Sequence, residues 1–404
     1  MRRGAALRVK RRQPLRSGRW KKVRSEMRRF TEFPALTANL LALLVFLAAC
    51  GHQGSAGNAS TIDDDSSPAD DDDASPDDDD NDATSDWTAM SSGTTETLWG
   101  IWGFSGSDVF VVGEGGTILH YNGAAWAPMP SGTTAYLSGV WGSSPSDMFA
   151  TGSTLGSVEA DWRGTILRYD GSSWSETLGV TGWEFNGVWG FSPSDVFVTG
   201  GNNTETQSTI LHFDGWAWAP MKAGQHDASL SGIWGSSHSD VFVVGTDVGL
   251  NGAILHYDGS AWTQMAPYIA PSSDLDFVWG ASASCVYANG GTNEYPWVGF
   301  VLFYDGESWT KPFIGEAALN GIGVFWGESA NDVYGVGGYL SFSQPSTPVQ
   351  MSAIAHFDGS SWSTMPTAAA ANLTGVWGSS TSDVFAVGYS GTILHYAGPS
   401  VDSK

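Results

Sequence analysis

The sequence predicts an all-β protein, a seven-bladed β-propeller closed by its own N-terminal strand. Two observations predict this fold: a phrase that recurs seven times, and an offset between the two ends of the repeat array. The phrase reads G-[VI]-W-G-x-S-x-S-D-V-F-x-V-G and then G-T-I-L-H-Y-D-G-x-x-W-x-x-M. A period of 39 to 51 residues with several short apolar runs is typical of propeller repeats.

Each repeat contains four short runs, a to d, which we expect to be β-strands. Run a is G-V-W-G, run b is D-V-F-V-V-G, run c is T-I-L-H-Y-D-G and run d is W-x-x-M. All are rich in β-branched and aromatic residues and are bounded by turn-forming residues, as strands are. Beyond the N-terminal apolar run no stretch has helical periodicity, so we expect almost no helix there. The run-a landmarks are Trp102, Trp141, Trp189, Trp234, Trp279, Trp326 and Trp377.

The two ends of the array indicate a closed ring. The last repeat stops after run c at Tyr396, and an isolated run d, residues 87–90, precedes the first repeat. This offset is expected in a closed ring, because the N-terminal strand can complete the last blade and cover its exposed edge. We therefore predict a propeller over residues 87–398, followed by a short tail at 399–404.

The N-terminal region has the pattern of a secretory signal. Its first 29 residues hold 13 of the 18 Lys and Arg, and an apolar run at 40–47 follows. That run is too short to span a bilayer and ends in small residues, as a cleavable signal does. We predict a signal peptide over 1–49. A more ordinary signal begins at Met27, which is an alternative translation start.

The segment Leu47-Ala48-Ala49-Cys50 resembles the lipobox of bacterial lipoproteins. The resemblance implies that Cys50 is lipidated, becomes the mature N-terminus and anchors the chain to a membrane. A plain secretory peptide is the alternative. Because Gly51 rather than Asp follows Cys50, the sorting seen in enterobacteria implies an outer-membrane lipoprotein of the cell envelope, facing the periplasm or the cell surface.

Residues 51–86 are rich in Asp and nearly devoid of apolar side chains. Such a segment cannot bury enough surface to fold, so we predict that residues 50–86 form a disordered, self-repelling acidic linker. Carboxylate clusters suit Ca²⁺, but no spaced D-x-D-x-D-G loop is present, which favours weak association over a specific site. We expect no other cofactor.

Charge excludes one class of function. Beyond Cys50, 40 acidic residues face five basic ones. A surface this acidic repels nucleic acid and anionic lipid headgroups, so neither is an expected partner. Cys285 is the only other cysteine after the signal, so no intramolecular disulfide is expected within the propeller. We expect a monomer.

The repeats resemble those of known propellers. The phrase G-T-I-L-H-Y-D-G-x-x-W, carried well at 164–174 and 391–396, is similar to BNR and photosystem assembly-factor-like repeats. W-G-S-S-x-S-D-V-F-x-V-G resembles repeats of uncharacterised lipoproteins from myxobacteria. The resemblance implies the fold and says little about activity. The sialidase Asp-box is only approximated, at 170–174.

Residues that occur once per blade are interpreted as scaffold. Run-c histidines are expected to be hydrogen-bonded structural groups, too dispersed for one metal site. The Asp that opens run b is expected to bond backbone N–H groups of its turn. Cys285 takes that position in the fifth repeat and is expected to be a buried thiol. The histidines are His120, His212, His256, His356 and His395, and the aspartates are Asp108, Asp147, Asp195, Asp240, Asp332 and Asp383.

Loop lengths point to one face as the recognition surface. The a–b and c–d links are short and uniform, whereas the b–c and d–a links vary and share the opposite face. Variable loops on a rigid scaffold are the usual place for binding. Aromatic and charged residues that break the repeat pattern in these links are the candidate ligand-binding residues: Trp162, Arg163, Trp183, Glu184, Glu294, Tyr295 and Trp297.

Three functional hypotheses follow. The first is a membrane-anchored extracytoplasmic binding or scaffold module whose partner is an envelope protein or a glycan. The second is a lectin-like propeller, which predicts that Trp162, Trp183 and Trp297 are exposed together around the central opening. The third is a glycan-active hydrolase or lyase with two loop carboxylates. Enzymes are disfavoured because a sialidase needs an arginine cluster, and only Arg163 and Arg168 follow Cys50. No catalytic residue is assigned.

Overall fold

The structure is a computed structural model. It describes residues 86–154, 156, 161–202, 207–221, 228–247, 249, 251–265, 273–292, 299–310, 321–341, 349–367, 369 and 371–398. Apart from Val349, these residues belong to one compact unit. The described residues contain no α-helix, and hence no helix long and apolar enough to cross a membrane.

The described residues form seven four-stranded antiparallel sheets, the blades. Within each blade the strands are adjacent in the order a, b, c, d. Blades 1 to 3 consist of β2 Leu98–Ser105, β3 Asp108–Gly113, β4 Ile118–Tyr121, β5 Trp126–Pro128; β6 Tyr136–Ser144, β7 Asp147–Thr154, β8 Arg163–Tyr169, β9 Trp174–Thr181; and β10 Trp183–Ser192, β11 Asp195–Asn202, β12 Gln207–Phe213, β13 Trp218–Met221.

Blades 4 to 6 repeat this arrangement, and blade 7 takes its outermost strand from the N-terminal end of the array. Their strands are β14 Ala228–Ser237, β15 Asp240–Asp247, β16 Gly252–Tyr257, β17 Trp262–Met265; β18 Ser273–Ser282, β19 Cys285–Thr292, β20 Gly299–Tyr304, β21 Trp309–Thr310; β22 Ile322–Ser329, β23 Asp332–Ser341, β24 Val349–Phe357, β25 Trp362–Thr364; and β26 Leu373–Ser380, β27 Asp383–Gly388, β28 Ile393–Tyr396, β1 Trp87–Met90.

The predicted closure by the N-terminal strand is confirmed. Strand β1 pairs antiparallel with β28, with Trp87 opposite Tyr396 and Met90 opposite Ile393. The a strands of neighbouring blades contact each other all the way round, including β26 with β2, so they lie nearest the axis. The ring therefore has no open end, and β1 covers the edge that β28 would otherwise expose.

Strand b of each blade reads as an almost continuous apolar run because both of its faces are buried. In β11, Val196, Phe197 and Val198 are all inaccessible to solvent. One face packs on the preceding blade and the other on the following blade. Burial on both faces explains why the sequence shows apolar runs in strand b rather than strict alternation.

The run-a tryptophans are inter-blade packing residues, as predicted. The Trp141 ring of blade 2 lies against Gly190 of blade 3, where an added Cβ would stand 2.7 Å from the indole. The Trp189 indole N–H in turn donates to the Gly235 carbonyl of blade 4 at 3.0 Å. The W-G pair recurs because at five of the seven interfaces the tryptophan ring lies against the glycine of the next blade.

The predicted role of the aspartate that opens run b is wrong. In five blades its Oδ1 bonds the Nε2 of the run-c histidine at 2.6–2.7 Å, and in blade 2 Asp147 pairs with Arg168 through two bonds of 2.9 Å. In the a–b turn a serine hydroxyl takes that role, as where the Ser107 N–H donates to the Ser105 hydroxyl, and the aspartate that ends run c caps the separate c–d turn. Asp170, for example, accepts backbone N–H bonds from Ser172 and Ser173. The side chains of strands b and c lie opposite each other because the two strands are paired. The spacing of the residues along the chain does not reveal this contact.

These bonds confirm that the five histidines are hydrogen-bonded, as predicted. Each ring also lies near the aromatic side chain of strand b, with centroids 4.2–4.6 Å apart. Cys285 replaces the aspartate in blade 5, opposite Phe303 in place of histidine. It is buried and forms no disulfide, as predicted.

Candidate functional site

The loop face is the end of the ring that carries the b–c and d–a links. Near this face each a strand has an irregularity in its register, a bulge, that follows a buried apolar residue. We call the residue that directly follows it the bulge residue. The bulge residues of blades 1 to 7 are Trp99, Ser138, Asn186, Ser231, Asp276, Gly323 and Thr374.

Small or polar bulge residues link neighbouring blades. Ser138 donates to the carbonyl of Asn186 at 2.9 Å, and the Asn186 amide donates to the carbonyl of Leu230 at 2.8 Å. Thr374 bonds the carbonyl of Leu98 across the closing interface. The indole N–H of Trp99 is buried without a hydrogen-bond partner among the described residues, so Trp99 has a different role.

Trp99 forms an aromatic cluster with Tyr136 and Tyr389. Its ring centroid lies 5.1 Å from that of Tyr136 and 5.6 Å from that of Tyr389. The three residues come from blades 1, 2 and 7, and all three are only half-buried. Half-buried aromatic rings contributed by three adjacent blades form a preorganised apolar surface at the loop face.

Two open depressions are lined by chain segments that neighbour this aromatic cluster in sequence. One, of about 640 Å³, is lined by residues 129–134, which lead into Tyr136. The other, of about 590 Å³, is lined by residues 90–95, which lead towards Trp99, and by Ser390 and Gly391, next to Tyr389. Both contain the same Ser-Gly-Thr-Thr turn, in which the serine hydroxyl faces the backbone of the first threonine, as Ser131 does with Thr133.

The propeller is strongly acidic. Residues 87–398 contain 26 Asp and Glu against four Lys and Arg. Asp276, the bulge residue of blade 5, is exposed yet crowded by the ring around it. This partial desolvation, and then the Asp274 carboxylate, raise the pKa of Asp276 to about 6.

The raised pKa of Asp276 predicts a specific pH dependence of stability. Between about pH 4 and 6 the folded protein holds a proton that the unfolded chain releases, so this group's contribution to stability is lost as pH rises through 6. We expect Asp276→Asn to reduce the loss of unfolding free energy between pH 5 and pH 7.5, measured by guanidinium denaturation.

The control for this pH experiment is Asp258→Asn. Turn hydrogen bonds, that of Ser260 first, lower the pKa of Asp258 to about 2, so it stays ionised in both states across this range. Its replacement should change stability equally at the two pH values. An Asp276→Asn protein with the same pH response as wild type would contradict the assignment.

The structure brings together four of the seven predicted binding residues. The Gly182 N–H donates to the Trp162 carbonyl at 2.6 Å, which joins the b–c and d–a links of blade 2. Trp183 and Glu184 do not lie in a link as predicted: they open strand β10, because β9 extends to Thr181 and only Gly182 separates the strands. Trp162 and Trp183 are both half-buried, and Trp183 packs against the core between blades 2 and 3.

Arg163 is held by an internal partner. Its guanidinium makes a two-pronged contact with Glu176, with bonds of 2.5 and 2.6 Å, and Thr165 donates to the same carboxylate. The Glu176 hydrogen bond raises the pKa of Arg163, and the Arg163 hydrogen bond lowers the pKa of Glu176. Arg163 stays charged, but its pair with Glu176 is neutral as a whole and so attracts a ligand carboxylate only weakly.

We expect Arg163→Met to change the unfolding free energy by no more than about 1 kcal/mol. The reason is that a partly exposed ion pair loses in side-chain entropy and hydration most of what it gains in attraction. The measurement is urea denaturation of wild type and variant at low and at about 0.5 M salt. A loss above about 2 kcal/mol would show that the pair holds blade 2 together.

The remaining predicted features lie outside the described residues. They are Cys50, Glu294, Tyr295 and Trp297, together with the signal region and the acidic linker with its Ca²⁺ association.

Two groups were not predicted from the sequence. The aromatic cluster combines residues far apart in the chain, although Trp99 broke the tryptophan pattern and was a usable signal. His238, in the a–b turn of blade 4, contacts Asp195 of blade 3. Its signal was that no other a–b turn has a histidine.

Comparisons with known proteins agree with the fold. No protein-family model matches the chain, and no curated protein matches it significantly. Solved propeller structures do. A structure described as YCF48 bound to D1 peptide has a TM-score of 0.55 and 14% identity, covering 78% of this chain and 97% of that one. YCF48 from Cyanidioschyzon merolae has a TM-score of 0.53 and 15% identity, covering 77% and 98%.

A third similar structure is the WD40 β-propeller domain of Doa1, with a TM-score of 0.54 and 9% identity, covering 78% of this chain and 96% of that one. Identities this low show the fold alone. The chain is thus a β-propeller, a fold that commonly serves as a binding or scaffold module.

Proposed function

We propose that this protein is an extracytoplasmic, membrane-anchored binding module that holds a basic, extended peptide segment of a protein partner on its loop face. The observation that carries the proposal is the aromatic cluster of Trp99, Tyr136 and Tyr389, together with two depressions lined by chain segments that lead into these three residues. Cys50 supplies the membrane anchor.

The geometry suits a peptide better than a compact ligand. The two depressions are open and shallow, and their lining is a mixture of polar backbone turns and apolar side chains such as Met129 and Pro130. Peptide side chains can occupy such depressions while an aromatic surface contacts the segment between them. Aromatic residues are the commonest anchors of protein interfaces.

Charge selects the kind of peptide. With 26 acidic and four basic residues in the propeller, the surface attracts a cationic segment over long range and repels an acidic one. A basic partner also gains by approaching the Asp274 and Asp276 carboxylates of strand β18. One similar propeller structure is described as holding a D1 peptide, which supports a peptide as the class of ligand.

The experiment is a selection of displayed random peptides, each about 12 residues long, on the immobilised full chain, with counter-selection on a Trp99→Ser variant. Ser138 and Ser231 occupy the same bulge position, so the fold accommodates serine there. We expect the enriched peptides to carry lysine or arginine together with an aromatic residue. Enrichment of acidic peptides, or equal retention by both proteins, would contradict the proposal.

A further inference from the structure

The face opposite the loop face carries a repeated Asp–His pair. In blade 3 the pair is Asp195, at the start of β11, and His212, in β12, with 2.7 Å between Oδ1 and Nε2. Both side chains are largely buried, His212 at 24% exposed and Asp195 at 18%. The same pair in four other blades is a purely structural bond.

His238 adds a third group to the pair of blade 3. It lies in the turn between β14 and β15 of blade 4, and its Nδ1 is 2.8 Å from Oδ2 of Asp195. The ring centroids of His212 and His238 are 5.9 Å apart. One ligand atom from each residue lies within 4.8 Å of the others, a grouping found once among the described residues.

The turn position of His238 also faces the preceding blade in blade 7, where the Thr381 carbonyl accepts from the Tyr334 hydroxyl, and in blade 1. At Gly106, the equivalent position in blade 1, an added Cβ would stand 1.8 Å from Oδ2 of Asp383 in blade 7. Only blade 4 places an imidazole there. The other occupants are Gly106, Pro145, Pro193, Ala283, Ala330 and Thr381.

The surroundings of Asp195 leave its second oxygen for His238. In blades 4 and 7 a serine of the same blade bonds Oδ2 of the equivalent aspartate, as Ser236 does to Asp240. Blade 3 has Phe191 in place of that serine, and Phe191 packs edge-on against Phe197 at 6.2 Å. Blade 3 thus has a phenylalanine where blades 4 and 7 have the serine that bonds the aspartate, and His238 of the next blade bonds Oδ2 of Asp195 instead.

The ring of His212 is also turned from its usual orientation. The plane of the run-c histidine makes an angle of 18° to 31° with the strand-b aromatic ring in the four other blades that have the pair. In blade 3 the angle is 41°. This rotation accompanies the approach of the second imidazole.

We propose that Asp195, His212 and His238 bind one divalent transition-metal ion, of which zinc is the representative. Two imidazoles and one carboxylate are the donors that zinc accepts, at bond lengths of about 2.0–2.2 Å. An ion placed among the three groups replaces the two hydrogen bonds, and the rings need to move outwards only slightly. Because three protein ligands leave a coordination position open, and His238 is 53% exposed, water or an external ligand completes the site.

Because the site joins two blades, metal binding should also stabilise the folded ring. Asp195 and His212 belong to blade 3, whereas His238 belongs to blade 4. An ion that binds the folded ring and not the unfolded chain raises its stability in proportion to the logarithm of its concentration over the dissociation constant.

The test is calorimetric titration of the full chain with ZnCl2 after chelator treatment, with Co²⁺ absorption as the spectroscopic readout. The acidic linker is identical in all variants, so its binding cancels in the comparison. His238→Ala is tolerated by the fold, since Ala283 and Ala330 occupy the same position. In that variant we expect zinc binding at this site to weaken at least tenfold, so that one zinc equivalent is lost at concentrations that saturate the wild type. The Co²⁺ visible band and the zinc-induced rise in Tm should be lost as well.

Blade 1 provides a gain-of-site variant. Asp108 and His120 are bonded at 2.7 Å, and Phe104 packs on Phe110 at 6.3 Å and 80°, much as Phe191 does on Phe197 at 78°. Only the histidine of the next turn is missing, where Pro145 stands. We expect Pro145→His to bind a second zinc ion. Identical zinc binding and Tm response in wild type and His238→Ala would overturn the proposal, and so would a Pro145→His protein that takes up no further ion.

Discussion

Replacing Trp87 with alanine is expected to lower the free energy of unfolding by about 3–5 kcal/mol. Trp87 is 3% exposed, and its ring contacts Tyr396 of blade 7 and Tyr334 of blade 6, at centroid distances of 5.5 and 6.3 Å. Its removal leaves a cavity between the last two blades. It also weakens the only strand that covers the edge of β28.

The matched control is Trp216→Ala. Trp216 lies in the c–d turn of blade 3 and is 93% exposed, so its loss should change stability by less than about 0.5 kcal/mol. The measurement is guanidinium denaturation of the full chain, followed by far-UV circular dichroism. Equal stability of the two variants would show that the N-terminal strand is not needed to hold the ring closed.

The second large effect is expected on binding. Trp99→Ser should weaken the affinity for a selected basic peptide by about tenfold to a hundredfold, because aromatic anchors commonly contribute that much to an interface. Trp99 contacts Tyr136 and Tyr389, so its loss also removes the support that orients both tyrosines.

Fluorescence anisotropy of a labelled peptide measures this affinity. Trp216→Ser, on the opposite face, serves as the control and should leave the dissociation constant unchanged. If only Trp216→Ser weakened peptide binding, the binding surface would be the face that carries the a–b and c–d turns, and the account would be contradicted. The unfolding free energies of both variants show whether the effect is local.

The architecture was predictable because its signal is repeated. Seven copies of each run fix the strands, and the position of Trp87 before the first repeat indicates how the ring closes. Single residues gave weaker signals. Trp183 and Glu184 were predicted in a link, but β9 of blade 2 extends to Thr181, further than strand d of any other blade, so only Gly182 separates it from β10 and these residues begin a strand. Strand length depends on pairing with neighbours, which one segment does not specify.

Contacts between blades were the hardest to predict. Asp195 and His238 are 43 residues apart, and nothing in either repeat indicates that an a–b turn reaches the preceding blade. The aromatic cluster likewise joins residues from both ends of the array, with Trp99 and Tyr389 brought together only by ring closure. Both groups depend on the angle between adjacent blades, which sequence periodicity does not contain.

Amide hydrogen exchange of the full chain, with and without a saturating selected peptide, tests the central claim most directly. If the loop face is the binding surface, protection will appear at residues 94–100, 131–137 and 388–392, around Trp99, Tyr136 and Tyr389. Protection confined to the a–b and c–d turns, such as those at 238–239 and 214–217, would contradict the account.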